Sequence, residues 1–142
     1  MYQVTVYTDG SCSGNGQETA VGGWAAIIRC NGAERVIRGY ESRTTNNRME
    51  LRAVIEAVKF LKKPSEIAVY TDSQYICTGA AQMKKWLKQA TPHANMDMWN
   101  ELITEGRKGK HHLTFHHISG HSGNTLNDRC DAIARQQSQQ NK

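Results

Sequence analysis

The chain switches its apolar period from two to helical and back again within its first 72 residues, and that switch limits its fold more than any other feature. YQVTVYT at 2–8 puts Val4 and Val6 on one side of a strand. GGWAAIIR at 22–29 and ERVIRGYE at 34–41 flank the segment CNGA, and Asn-Gly readily takes the positive backbone angles of a tight hairpin turn. Over 46–62 the period becomes helical: Met49, Ala53, Val54, Ala57, Val58, Phe60 and Leu61 share one face, opposite Arg52, Glu56 and Lys59. Pro64 ends that helix, and EIAVYTD at 66–72 reads as a fourth strand. Helices are expected at 73–90, 96–105 and 126–136, with HLTFHHIS at 112–119 as a fifth strand. Strands joined by hairpins pair antiparallel, whereas strands reached across helices pair in parallel. The expectation is an α/β domain over residues 1–135, with a five-stranded mixed sheet flanked by helices. Residues 136–142 read as a polar, disordered tail.

The 142 residues suffice for one domain with a real core. Eighteen Lys and Arg against 13 acids leave a formal charge of +5, which is compatible with a polyanionic partner but does not require one. Part of the excess clusters, in KK at 62–63, KKWLK at 84–88 and RKGK at 107–110. Four cysteines, at 12, 30, 77 and 130, lie far apart without a CxxC pair and read as reduced structural thiols of a cytoplasmic protein. No apolar run approaches membrane-spanning length, and a monomer is the default expectation.

Four carboxylates depart from what surface residues do. Asp9 follows VTVYT and Asp72 follows IAVYT, so each is placed at the C-terminal end of an apolar strand, the edge where α/β sheets bind ligands. An Asx turn would explain either one alone. Glu50 is the sharper anomaly: at 100° per residue it falls in the centre of the apolar stripe, with Ala57 and Leu61 about 20° to either side. A lone ionised carboxylate there would cost several kcal/mol, so it needs either an ion pair, with Arg29 or Arg48, or a cation. Asp131 sits early in the last helix, just after the glycine-interrupted segment SGHSGN at 119–124 that carries His121. Hard oxygen ligands of this kind suit Mg²⁺ or Mn²⁺ rather than zinc. Four carboxylates from separate elements at one sheet edge would equip a site for two ions, about 4 Å apart, in phosphoryl transfer.

These same residues carry a resemblance. TDGSCSGN at 8–15, TTNNRMEL at 44–51, YTDSQYI at 70–76 and GHSGN-LNDRCDAIA at 120–134, in that order, resemble the bacterial type 1 ribonucleases H across essentially the whole folded chain. The resemblance implies the ribonuclease H-like fold and a metal-dependent endonuclease. Such an enzyme hydrolyses the RNA strand of RNA/DNA hybrids to 5′-phosphate and 3′-hydroxyl ends, with two Mg²⁺ per site and Mn²⁺ as a substitute. It implies Asp9, Glu50, Asp72 and Asp131 as catalytic metal ligands, and His121 as a group that assists proton transfer or product release. Asn15, Asn46 and Gln74 match residues that touch the minor groove, where 2′-hydroxyls distinguish RNA from DNA. Thr45 and Arg48 match residues that hold the DNA strand by its phosphates, with the backbone amides of Asn46 and Asn47 available to the same anion.

The chain also departs from that family. The basic region between Asp72 and Asp97 is short: KKWLK remains, followed by QATPHANMD, so Lys84, Lys85, Trp86 and Lys88 form a reduced handle on the hybrid. Weaker binding rather than lost chemistry is expected. Two other readings are compatible with such a fold. A non-catalytic hybrid-binding module would be expected to have lost an acid, and an integrase-like DNA nuclease would be expected to use three.

Overall fold

The structure, a computed structural model, describes residues 1–87, 94–119 and 125–142. The hairpin forms where Asn-Gly predicts it. Asn31 and Gly32 have φ of 51° and 79°, and they join β2 (Val21–Cys30) to β3 (Ala33–Ser42). β1 (Tyr2–Ser13) pairs antiparallel with β2 on one side and parallel with β4 (Ser65–Thr71) on the other. β5 (His112–His117) adds in parallel beyond β4, giving the order β3-β2-β1-β4-β5. The expected mixed sheet is therefore present, with three antiparallel strands followed by two parallel ones.

Alternation sorts the strand side chains onto two faces. On one face Val4, Val6, Ala26, Ile28, Ile67 and Val69 pack against Leu51, Val54, Ile55 and Val58 of α1 (Asn46–Phe60). Ile76 of α2 (Gln74–Leu87) and Met98, Trp99 and Leu102 of α3 (Met96–Lys108) complete that core. On the other face Ala25 and Ile27 meet Cys130 and Ala134 of α4 (Thr125–Gln140).

Two expectations need correction. β1 does not stop at residue 8: it continues through Asp9 to Ser13, because β2 keeps pairing with it as far as Ser13 opposite Val21. The polar residues from 136 onward are not a frayed tail, since α4 is helical to Gln140 and Ser138 is buried. The cause is Gly23 in β2. A methyl group there would collide with the Ala134 carbonyl, the Ser138 amide and the Gln137 side chain, so its absence lets the last turns of α4 lie directly on the strand.

Candidate active site

The parallel pairing of β1 with β4 ends at Tyr7 opposite Tyr70. Two residues further along each chain come Asp9, still paired with Ala25 of β2, and Asp72, just past the end of β4. The two carboxylates thus stand where the sheet opens between neighbouring strands. Just below them Tyr7, Tyr70 and His116 stack in one row across β1, β4 and β5, with ring centroids 5.2 and 4.8 Å apart.

Glu50 arrives from the first turns of α1, and Gly10 is what admits it. A Cβ on Gly10 would overlap the backbone of Met49 and Glu50, so glycine lets the start of α1 press onto β1. The Gly10 amide donates to both acids, to Glu50 Oε1 and, at 2.9 Å, to Asp9 Oδ1. Asp9 and Glu50 are 3% and 4% exposed, and Asp9 Oδ2 is buried with no hydrogen-bond partner among the described residues. Neither Arg29 nor Arg48 reaches Glu50: Arg29 pairs with Glu34, and Arg48 with Asp97. One carboxylate oxygen from each of Asp9, Glu50 and Asp72 lies within 4.8 Å of the other two. Burial above all, then the Glu50 charge, drives the Asp9 carboxyl far above its ordinary range. Burial also raises Glu50, against the opposing hydrogen bonds from Asp9 and Gly10. An orphaned buried oxygen among three crowded hard donors is what a cation site requires, and these residues fit Mg²⁺ or Mn²⁺.

Asp131 lies in the second turn of α4 and lines the same open cleft, which measures about 430 Å³. It does not join the tight group of three, and its Oδ2 is held by Arg135 Nε at 3.1 Å.

Asn46, Asn47 and Gln74 also line the cleft, with Gln74 Nε2 donating to Thr78 at 3.1 Å. Asn15 Oδ1 accepts from the Asn46 amide at 2.6 Å, which ties the β1–β2 loop to the start of α1 and occupies the first amide expected to meet an anion. Thr45 caps α1 by accepting from the Arg48 amide at 3.2 Å. Arg48 is committed elsewhere: its guanidinium grips Asp97 through two bonds, of 3.0 and 2.7 Å, and also reaches Asn95. Asn95 and Trp99 both donate to the Tyr75 hydroxyl. Asn95, Tyr75 and Arg135 were not singled out from sequence. Only Arg135 left a legible signal, its i,i+4 spacing from Asp131. Lys85 is exposed on α2, while Lys88, His121 and the side chains of Lys84 and Trp86 lie outside the described residues.

The family described as RNase H matches residues 1–139. A ribonuclease H of Nitratidesulfovibrio vulgaris (strain DP4) is 44% identical over 146 residues, which is 96% of this chain and 89% of that protein. A ribonuclease H of Caldicellulosiruptor saccharolyticus is 43% identical, covering 95% of each. Among solved structures, LC9-RNase H1, described as a type 1 RNase H with the type 2 active-site motif, superposes with a TM-score of 0.84 at 28% identity, over 100% of this chain and 74% of that one. With the whole sheet and its flanking helices matched at that identity, the chain belongs to the ribonuclease H family, as an enzyme of its bacterial type 1 branch.

Proposed function

We propose that the enzyme cuts the RNA strand of RNA/DNA hybrids internally, leaving 5′-phosphate and 3′-hydroxyl ends, at the site formed by Asp9, Glu50, Asp72 and Asp131. The observation that carries the reading is the buried, unpartnered Asp9 oxygen within a group of three crowded carboxylates. When bound there, two divalent cations, Mg²⁺ or in its place Mn²⁺, would activate a water and offset the charge that develops on the phosphate. Asp9 and Glu50, held in common by the Gly10 amide, fix the ligand geometry before substrate arrives. Asn46 and Gln74 line the cleft, Asn15 is bonded to the Asn46 amide beside it, and all three carry groups that both donate and accept, which suits 2′-hydroxyls and base edges. Thr45 and Asn47 stand at the start of α1 for the DNA strand. Lys84, Lys85, Trp86 and Lys88 would supply sequence-independent grip, and Arg48 supports Asn95 and α3 instead of meeting phosphate directly. His121 would accept or deliver a proton as product leaves.

The test is a cleavage assay on an RNA/DNA hybrid, double-stranded RNA, double-stranded DNA and single-stranded RNA. Each is run with Mg²⁺, with Mn²⁺ and with chelator, beside Asp9→Asn. Metal-dependent cuts confined to the RNA of the hybrid and lost in the variant are expected. Cutting of double-stranded DNA would overturn the substrate assignment, and full turnover by Asp9→Asn would overturn the site.

A further inference from the structure

Arg135 is the one Lys or Arg among the described residues that line the carboxylate cleft. Its Nε holds Asp131 at 3.1 Å, while its terminal amino groups make no hydrogen bond or ion pair among the described residues. The side chain is 56% exposed and lines the cleft, so its guanidinium is accessible to a polyanion that enters there. Asp131, held in this way, is the acid that stays out of the tight group formed by Asp9, Glu50 and Asp72.

We infer that Arg135 is a positioning residue that withholds Asp131 from the other three carboxylates in the free protein, and releases it when a backbone phosphate of the substrate takes the guanidinium. The inference rests on the proposed reading of the cleft as the hybrid-cleaving site. Each half of the exchange has a physical basis. Bringing a fourth carboxylate beside three that are already crowded, two of them buried, is unfavourable, and a cation on Asp131 lessens that repulsion. An exposed i,i+4 ion pair contributes well under ~1 kcal/mol, so it yields to a stronger partner. A phosphate is such a partner, because its oxygens match the guanidinium fork. Arrival of substrate and completion of the acid set thereby become one event. The site is kept from assembling its full charge when no substrate is there to use it.

The exchange is read in a double-mutant cycle of Asp131→Asn and Arg135→Ala. Affinity for a labelled RNA/DNA hybrid is measured in chelator, where no cutting occurs. Freeing the guanidinium by Asp131→Asn should tighten binding about three- to fivefold. With Arg135→Ala already present, the same substitution should gain nothing. An equal gain in both backgrounds would mean simple removal of negative charge and would overturn the exchange. The second readout is Mn²⁺ uptake by the protein without nucleic acid. Arg135→Ala should bind an additional equivalent relative to the parent, and unchanged stoichiometry would overturn the withholding of Asp131. A parent protein that cuts the hybrid normally while the cycle is additive refutes this inference alone. A parent that neither binds nor cuts the hybrid refutes the proposed function itself.

Discussion

A carboxylate buried beside two others works against the fold whenever it is charged. Asp9 and Glu50 have folded-state pKa values raised above their unfolded ones, so the folded protein binds more protons. Without a cation, their contribution to stability is most favourable below the ordinary carboxyl range, near pH 4, and declines as pH rises above it. Thermal melts in chelator should therefore show stability drifting downward over this range for these two groups, and saturating Mg²⁺ should flatten the drift. Asp9→Asn removes the charge while keeping size. It should raise the melting temperature in chelator by about 5 °C while lowering turnover ~100-fold or more; a variant that melts lower would show that the Asp9 charge is not a burden to the empty site. How much of this was legible follows from the physics of each residue. Glu50 could be found because burial is periodic and a charge in the apolar stripe breaks the period. The Arg48–Asp97 pair could not be found, because nothing local shows that Asp97, 49 residues away, engages that guanidinium.

At the scale of elements, periodicity located each strand and helix among the described residues but not where several of them end, β1 and α4 above all. β1 runs on past its apolar residues because pairing with β2 continues through Gly10, Ser11, Cys12 and Ser13, which show no alternation. α4 runs on past its apolar residues because its partner is a gap at Gly23, more than 100 positions earlier. Composition alone cannot report either cause. Gly23→Ala should lift the end of α4 from the sheet and cost about 1–3 kcal/mol, measured by urea denaturation. An unchanged midpoint would mean that α4 has room to shift without loss. The bridge between α1 and α3 makes a different prediction. Asp97→Ala should release the Arg48 guanidinium toward the substrate side and tighten hybrid binding in chelator about twofold. Weaker binding would show instead that Arg48 serves mainly by keeping Asn95 and α3 in place.

Across the whole molecule the charge is +5, and six of the 18 basic side chains are tied to acids in ion pairs among the described residues. Arg29, Arg48, Arg52, Lys59, Arg129 and Arg135 all pair with acids on the protein itself. The proposed grip on the hybrid nonetheless leans on the lysines near the end of α2. Replacing exposed Lys85 by Ala should reduce the slope of log affinity against log salt by about 1, with hybrid titrations at several ionic strengths as the measure. If the slope is unchanged, that lysine meets no phosphate. The two sheet faces differ in a way that supplies a practical probe. Cys130 is wholly buried, its thiol bonded to the carbonyls of Tyr7 and Ala25, and burial holds that thiol well above its usual range. It can therefore be alkylated only in molecules whose last helix has come away from the strands. Its labelling rate counts those excursions, and because Asp131 is its neighbour in sequence, the same clock times how often Asp131 leaves the cleft.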